Sequence, residues 1–255
     1  MRLTTLCERY DERLRTEAFA EVDASANGLQ IGPEEGEIEH VAFAVDAALE
    51  TIERAAEAGA DVLAVHHGLS WGGGFERITG CTHDRIAALI ENDVALYVSH
   101  LPLDAHPELG NAAGVADLLG LDACEPFGSL GDETIGLRGK APTAFEGEGL
   151  CDRLASLDTG GREPRLLDFG PEEIEDVAIV TGSGADWLGE AAETGADALV
   201  TGEGKQQVYY EAREAGVTVV LGGHYATETF GVRSLRSLAD DWGLETTWID
   251  APTGL

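Results

Sequence analysis

Residues 41–68 read VAFAVDAALETIERAAEAGADVLAVHHG. This stretch begins and ends near two apolar runs, Val41–Val45 and Val62–Val65, which are typical of buried strands. Between them, Ala48–Ala58 has the apolar spacing of an amphipathic helix, and Gly59 favours its end. A strand, a helix and a second strand in this order predict a βαβ unit, so we expect a sheet that is at least partly parallel.

The same pattern recurs in the second half of the chain. Residues 177–204, VAIVTGSGADWLGEAAETGADALVTGEG, align with residues 41–68 without a gap. Farther along, residues 92–98 and 215–221 are similar in pattern. Capping preferences alone would explain the shared glycines but not the whole register. We therefore predict an α/β fold of two related three-layer lobes with mostly parallel sheets.

We expect the first lobe to span residues 1–124 and the second to span residues 125–255, with a C-terminal segment that can pack back on the first lobe. Pro102 disfavours a helix after the strand that precedes it, so an extended loop is expected there. Residues 141–171 are rich in Gly, Pro and acids. They are expected to form a mobile connection with one helix, near residues 150–157.

The composition is that of a globular protein with an extreme charge. Among 255 residues there are 48 acids against 16 bases, which gives a formal net charge of −32. Because salt screens the self-repulsion of such an acidic surface, we expect a halophilic source, and the charge disfavours nucleic acid as a partner. No apolar run reaches the roughly 20 residues that span a membrane. The four scattered cysteines favour buried reduced thiols, so a cytoplasmic protein is expected.

Strong metal ligands follow two of the predicted strands. His66 and His67 end the strand of the first βαβ unit, and His224 and Glu228 follow another apolar run at i, i+4 spacing. Because adjacent strand residues point to opposite faces, His66 and His67 would meet one site only if the strand has ended and the backbone turns at Gly68. The alternatives are a core histidine beside an exposed one and, for His224 and Glu228, a surface ion pair or a cap.

Three further residues near these positions are weaker candidates. His100 fits a ligand, a residue that orients a ligand, or a core histidine. Asp104 fits a ligand or a helix cap, and Glu203 fits a carboxylate that supports a ligand. The remaining histidines, His40, His83 and His106, are expected at the surface or as caps. The glycine-rich stretches at residues 71–75 and 181–184 match no complete phosphate-loop motif.

Five segments, taken in order, resemble the NIF-three-like family, also called the GTP cyclohydrolase I type 2 homologs. They span nearly the whole chain and match the short form of the family, without its inserted domain. The segments are Asn27–Gly32, His66–Gly68, His100–Asn111, Thr201–Glu203 and Gly223–Glu228.

The resemblance implies a toroidal homo-hexamer and a dinuclear metal site in the crevice between the two lobes. Residue by residue, it implies the metal ligands His66, His67, Asp104, His224 and Glu228, with Glu228 bridging two ions. Three imidazoles and two carboxylates suit two divalent ions of Zn, Fe or Mn per subunit rather than Ca or Mg. This chain has Gly68 where many members have proline, and Tyr209-Tyr210 where some have a histidine.

The resemblance also implies a metal-dependent hydrolase of GTP or another nucleotide, because two cations can activate water for attack on a purine ring. No catalytic residue beyond the metal ligands is assigned, although His100 and Glu203 are candidates for supporting roles. Positive charge for a triphosphate would have to come through the fold, from Arg77, Arg85, Arg138, Arg233 and Lys205. The alternative is a non-enzymatic protein that binds or delivers metal with the same ligands. A scaffold that recruits partners would leave the ligand cluster unexplained.

Overall fold

A computed structural model describes residues 1–255. The chain divides into two compact units. The first unit comprises residues 1–103 and 231–251, and the second comprises residues 104–230 and 252–255. Each unit contains one β-sheet. No helix is long and apolar enough to cross a membrane.

The helices and strands include both βαβ units that the repeated sequence pattern predicts. In chain order they are α1 (Leu3–Leu14), β1 (Gly28–Ile31), β2 (His40–Asp46), α2 (Leu49–Glu57), β3 (Val62–His67), α3 (Cys81–Glu91), β4 (Ala95–Val98), α4 (Leu101–Ala105), α5 (Asn111–Leu119), β5 (Asp122–Leu130), β6 (Glu133–Phe145), α6 (Gly147–Leu154), β7 (Arg165–Leu167), β8 (Ile174–Ile179), α7 (Leu188–Thr194), β9 (Ala198–Thr201), α8 (Val208–Ala215), β10 (Thr218–Leu221), α9 (His224–Thr227), α10 (Thr229–Asp241) and β11 (Glu245–Trp248). Short 3₁₀ helices occur at Thr16–Phe19 and Gly184–Trp187.

The first unit is a three-layer α/β structure. Its sheet has the order β1-β4-β3-β2-β11, in which only β1 is antiparallel to its neighbour. Alternate strand residues face opposite layers, since side chains alternate along a strand. Val41 and Phe43 belong to the apolar cluster that contains α1 and α10 residues, whereas Ala42 and Ala44 belong to the cluster of α2 and α3. Both faces of the sheet are therefore buried.

The second unit has a mixed sheet. Its order is β5-β6-β8-β9-β10-β7, and only the β8–β9 and β9–β10 pairings are parallel. Residues of α5 and α6 share an apolar cluster with inward residues of β8, β9 and β10. The predicted α/β class and the two α/β lobes are confirmed, but the second sheet is not mostly parallel. The reason is that the long hairpin of β5 and β6 adds antiparallel pairings at one edge and β7 adds another at the opposite edge.

The internal repeat is present in the hydrogen bonds of each sheet. Val41 pairs with Val62 in the first unit, and Val177 pairs with Ala198 in the second, which is the register of the ungapped alignment. Asp61 Oδ2 accepts the backbone N–H groups of residues 39 and 40 at 2.7 and 3.0 Å. Asp197 Oδ2 accepts those of residues 175 and 176 at 3.0 and 2.9 Å. Equivalent aspartate contacts thus stabilise the two parallel crossovers.

The structure differs from the predicted lobe boundary. Helix α5 lies in the apolar cluster of the second sheet, so the second unit begins at Asp104 rather than near residue 125. Residues 231–251, which carry β11 and most of α10, belong to the first unit, where β11 pairs with β2.

Three local expectations were wrong. The segment after β4 is the short helix α4, and Pro102 lies in its first turn, where a proline costs no intrahelical hydrogen bond. Residues 141–171 contain the one expected helix, α6, which begins and ends about three residues earlier than predicted, but they also include the end of β6 and β7 instead of an irregular connection. The cysteines are free thiols, but Cys81 and Cys124 are exposed.

Candidate metal centre

Three histidines of the first unit form a compact cluster. His66 and His67 are the last two residues of β3, and His100 follows β4, which lies beside β3 in the sheet. Their rings lie 4.6 to 5.8 Å apart between centroids. One ring nitrogen from each can be chosen so that all three nitrogens lie within 4.8 Å of one another. Such a group is close enough to bind one cation.

The strand β3 continues through both histidines, so their rings lie close together although the strand has not ended before them. His66 is fully buried and His67 is half-buried. Gly68 follows with backbone so close to its neighbours that a Cβ atom would lie 2.5 Å from Val98 and 2.6 Å from Gln30. The Gln30 side-chain oxygen accepts the backbone N–H groups of the next two residues at 2.8 and 3.1 Å. The chain therefore turns after Gly68 rather than before it.

The Nδ1 atom of each of these three histidines is hydrogen-bonded to an oxygen atom. His66 Nδ1 lies 2.9 Å from the Ser99 carbonyl oxygen. His67 Nδ1 lies 2.9 Å from Asp46 Oδ1, and His100 Nδ1 lies 2.8 Å from Asp23 Oδ1. A carbonyl or carboxylate oxygen only accepts, so each Nδ1 carries the proton that it donates. In the neutral ring, Nε2 is then the nitrogen with the lone pair, the arrangement that suits metal ligation.

Asp23 orders the loop that carries His100. Its side chain is 1% exposed, and its second oxygen accepts the N–H of Leu101 at 2.9 Å and the side-chain amide of Asn27 at 2.8 Å. Burial alone would raise the pKa of Asp23, but the hydrogen bond and charge of His100, together with the amide donors, lower it overall. The carboxylate therefore stays ionised and fixes the ring of His100.

In the second unit, His224 lies between two carboxylates. Its Nε2 is 3.1 Å from Glu228 Oε2, and its Nδ1 is 3.2 Å from Glu203 Oε1. Burial would lower the pKa of His224, but the hydrogen bonds and charges of Glu228 and Glu203 outweigh it and raise this pKa to about 9. The pKa of Glu203 is lowered, first by the hydroxyl of Ser183, which donates to it at 2.6 Å, and then by His224. Without a cation, this cluster holds a proton on the imidazole.

Asp104 is a buried carboxylate of the same unit. Its Oδ1 accepts the Asn111 side-chain amide at 2.7 Å and the Thr181 hydroxyl at 3.2 Å. Asn111 is the first residue of α5 and is fully buried. These two donors orient one carboxylate oxygen, as partners of a ligating carboxylate do.

Gly182 makes room for the carboxylate of Glu228. Its φ is +58°, and a Cβ atom at this position would lie 2.0 Å from Glu228 Oε1 and 3.2 Å from His224 Nε2. Its carbonyl oxygen accepts the N–H groups of Gly202 and Glu203, both at 2.9 Å. This glycine is therefore required by backbone conformation and by space, not by a phosphate-loop motif.

The sequence motifs contain the candidate histidines and acids but not the residues that orient these side chains. Asp46, Asp23 and Ser99 were not singled out, because their roles depend on which strands are neighbours, and Thr181 and Gly182 were considered only as part of a glycine-rich stretch. Only Asp46 could have been identified in advance, because the register of β2 and β3 pairs it with His67. Of the other histidines, His83 is exposed as expected, and His106 Nδ1 caps the turn at residues 108 and 109. His40 is buried against Thr247 rather than at the surface.

The model of the Duf34/NIF3 (NGG1p interacting factor 3) family matches residues 1–253. The chain belongs to this family. A Duf34/NIF3 relative from Halobacterium salinarum, called a GTP cyclohydrolase 1 type 2 homolog, is 57% identical and is covered in full by an alignment that also covers all of this chain. The namesake from Escherichia coli K12 is 37% identical, with 99% of both chains covered. Among solved structures, TTHA1606 from Thermus thermophilus is similar over the full length of both chains, with a TM-score of 0.89 and 39% identity.

Proposed function

We propose that this Duf34/NIF3 protein binds two divalent metal ions and is a metal-dependent hydrolase. The observation that carries the proposal is the set of three clustered histidines whose Nδ1 atoms are each held by an oxygen acceptor. A core histidine needs no such uniform arrangement, whereas a ligating histidine is regularly oriented through its second nitrogen.

His66, His67 and His224 would be the histidine ligands of the ions, and Asp104 and Glu228 would be the carboxylate ligands. This donor set suits Zn, Fe or Mn, because imidazole is a softer ligand than oxygen. When bound, such ions polarise substrate oxygens and activate water for hydrolysis. The chain itself would orient the ligands through Asp46, the Ser99 carbonyl, Asn111 and Thr181.

The proposed substrate is a nucleotide or a related heterocycle. Support comes from the relatives that are called GTP cyclohydrolase 1 type 2 homologs. Opening of a purine ring consumes water, which is the chemistry that divalent ions promote. His100 and Glu203 are the residues beside the proposed ligands that could assist proton transfer.

The experiment is a metal titration followed by a turnover assay at high salt. Metal-loaded protein is incubated with GTP, and formate and the ring-opened product are followed. We expect about two metal ions per chain and formate release that is lost in Glu228→Ala. The matched control is His83→Ala, which removes an exposed histidine and should change neither value. Full metal occupancy without any product would contradict the hydrolase.

A metal-delivery protein is the second candidate, because the same ligands would serve it. The two functions differ in metal release. A carrier transfers its metal to a chelating acceptor protein within the time of the assay and turns over no nucleotide. A hydrolase keeps its metal through many turnovers.

We further propose a homo-hexamer and a halophilic, cytoplasmic setting for this chain. The family resemblance supports the hexamer, and the net charge of −32 supports the salt-adapted surface. Light scattering on purified protein at high salt measures the mass directly. A monomer under those conditions would contradict the assembly.

A further inference from the structure

A cavity in the second unit adjoins the His224 cluster and has no part in the proposed ligand set. Its volume is about 190 Å³. Two arginines, Arg162 and Arg165, line it together with Glu203 and the strand-end residues Leu221, Gly222 and Gly223. Because Glu203 also contacts His224, the cavity and the His224 cluster share a wall.

The position of Arg165 follows from the sheet. Arg165 begins β7, the edge strand that runs antiparallel to β10, and it pairs with Leu221, the last residue of β10. The chain reaches His224 three residues after Leu221. In an open α/β sheet, ligands bind beyond the carboxyl ends of the parallel strands. The cavity lies at this end of β9 and β10.

The two arginines are notable in a chain with 16 bases and 48 acids. Both are exposed, and neither forms an ion pair, whereas Arg138 and Lys140 in the same unit bind Asp176. Arginine presents its donors in a planar fork that fits phosphate or carboxylate oxygens. Two acids also line the cavity. Glu203 is already bound by Ser183 and His224, so its charge is partly countered, whereas Glu163 is exposed.

The floor of the cavity consists largely of backbone. Gly202, Gly204, Gly222 and Gly223 line it without side chains, so a ligand can approach the main chain closely. The volume equals roughly six times the ~30 Å³ that a water molecule occupies. Pockets that enclose a whole drug-sized ligand are about 300–1,000 Å³. The cavity therefore fits one anionic group and the atoms next to it, not a complete nucleotide.

We propose that this cavity is the phosphate subsite of the enzyme, in which Arg162 and Arg165 bind a phosphate group of a phosphorylated small-molecule substrate. Phosphate binding in this cavity does not depend on the proposed function. Only the hydrolysis of the bound substrate does. The phosphate would occupy the end between the arginines and the glycine backbone, and the rest of the substrate would extend past Glu203 toward His224.

Calorimetric titration of the metal-loaded protein tests the subsite, with GTP, guanosine and inorganic phosphate as the three probes. We expect GTP to bind at least about tenfold more tightly than guanosine, because charged hydrogen bonds to arginine are strong. Arg162→Gln and Arg165→Gln should each weaken GTP about tenfold and leave guanosine unchanged. Arg165→Lys should recover part of the loss, since it keeps the charge but not the fork.

Arg213→Gln is the matched control, because Arg213 is an exposed arginine of the same unit on α8 and does not line the cavity. It should bind all three probes as the unmodified protein does. Equal GTP affinity in the unmodified protein and both cavity variants would overturn the subsite. Inorganic phosphate that binds as tightly as GTP, with the same dependence on both arginines, supports the anion site and identifies free phosphate as its ligand. Metal content and formate release, measured in parallel, report the proposed function separately.

Discussion

Asp46 fixes the ring of His67 through the 2.9 Å contact between Oδ1 and Nδ1. A carboxylate in this place selects the tautomer and raises the basicity of the other ring nitrogen. We expect Asp46→Ala to lower the affinity for metal about 10- to 100-fold without unfolding the protein. Competition with a chromogenic chelator measures the affinity.

The control for this prediction is Asp84→Ala. Asp84 lies 3.0 Å from the exposed His83, so the variant removes the same kind of pair at a distance from the histidine cluster. If both variants keep the affinity of the unmodified protein, Asp46 does not orient a ligand.

Gly182 offers a second test at the scale of one residue. Gly182→Ala places a methyl group where Glu228 Oε1 now lies and forces a strained backbone at φ +58°. We expect reduced metal stoichiometry together with a lower melting temperature. Gly189→Ala is the matched control, because a Cβ atom at Gly189 in α7 meets nothing within 4 Å. This control should stabilise the helix slightly. Full metal stoichiometry in Gly182→Ala would show that Glu228 can move aside.

At the scale of elements, the two βαβ crossovers have one feature in common, an aspartate whose side chain accepts backbone hydrogen bonds. Asp61 and Asp197 each accept two backbone N–H groups at the start of a central strand. Removing the acceptor leaves these donors without it, at a cost of about 1–3 kcal/mol. We expect Asp61→Ala and Asp197→Ala to lose similar amounts of unfolding free energy in urea, and Asp117→Ala, at an exposed position on α5, to lose almost none. Unequal losses would contradict an equivalent role.

The hairpin of β5 and β6 is joined to β8 by a buried carboxylate. Asp176 on β8 accepts Arg138 Nε and Nη2, both at 2.6 Å, and also binds Lys140. Burial would raise the pKa of Asp176, but the hydrogen bonds from Arg138 and Lys140 outweigh it and lower this pKa below its usual 3.8. The contribution of Asp176 is therefore present above pH 3.8 and is lost as the pH falls through the lower, folded value.

This sign gives a pH-dependent prediction for Asp176→Asn. The difference in unfolding free energy between the unmodified protein and the variant should be largest near neutral pH and should shrink in acid. Urea unfolding of both proteins from about pH 6 to below the usual pKa of the carboxyl measures the difference. A difference that does not change with pH would mean that the charge of Asp176 does not stabilise β8.

The sequence predicted the elements and registers that depend on local patterns. Residues that the ungapped alignment of 41–68 with 177–204 makes equivalent have equivalent strand pairings in the two sheets, because the apolar strands and the Gly-Ala-Asp turn recur together. The sequence did not predict that Pro102 lies in the first turn of a helix, since proline is compatible with both a loop and a first turn. Nor could it find the cavity, which Arg165 lines because β7 pairs with β10.

At the scale of the whole molecule, the net charge of −32 governs the response to salt. Screening reaches about 10 Å at 0.1 M salt and about 3 Å at 1 M, so the repulsion among surface acids weakens steeply in this range. We expect the melting temperature to rise from about 0.1 M to about 1 M KCl, and the proposed oligomer to dissociate at the lower salt. Thermal scans and light scattering measure the two effects. An unchanged assembly at low salt would show that burial outweighs repulsion.

The two crossovers keep the same strand register and the same closing aspartate, yet they end in different residues. The first ends in His66-His67, and the second ends in Gly202-Glu203. If both arose by duplication of one ancestral segment, the folding determinants were retained while the strand ends diverged. New chemistry can then evolve by substitution at a few terminal positions, without renewed selection for a stable scaffold.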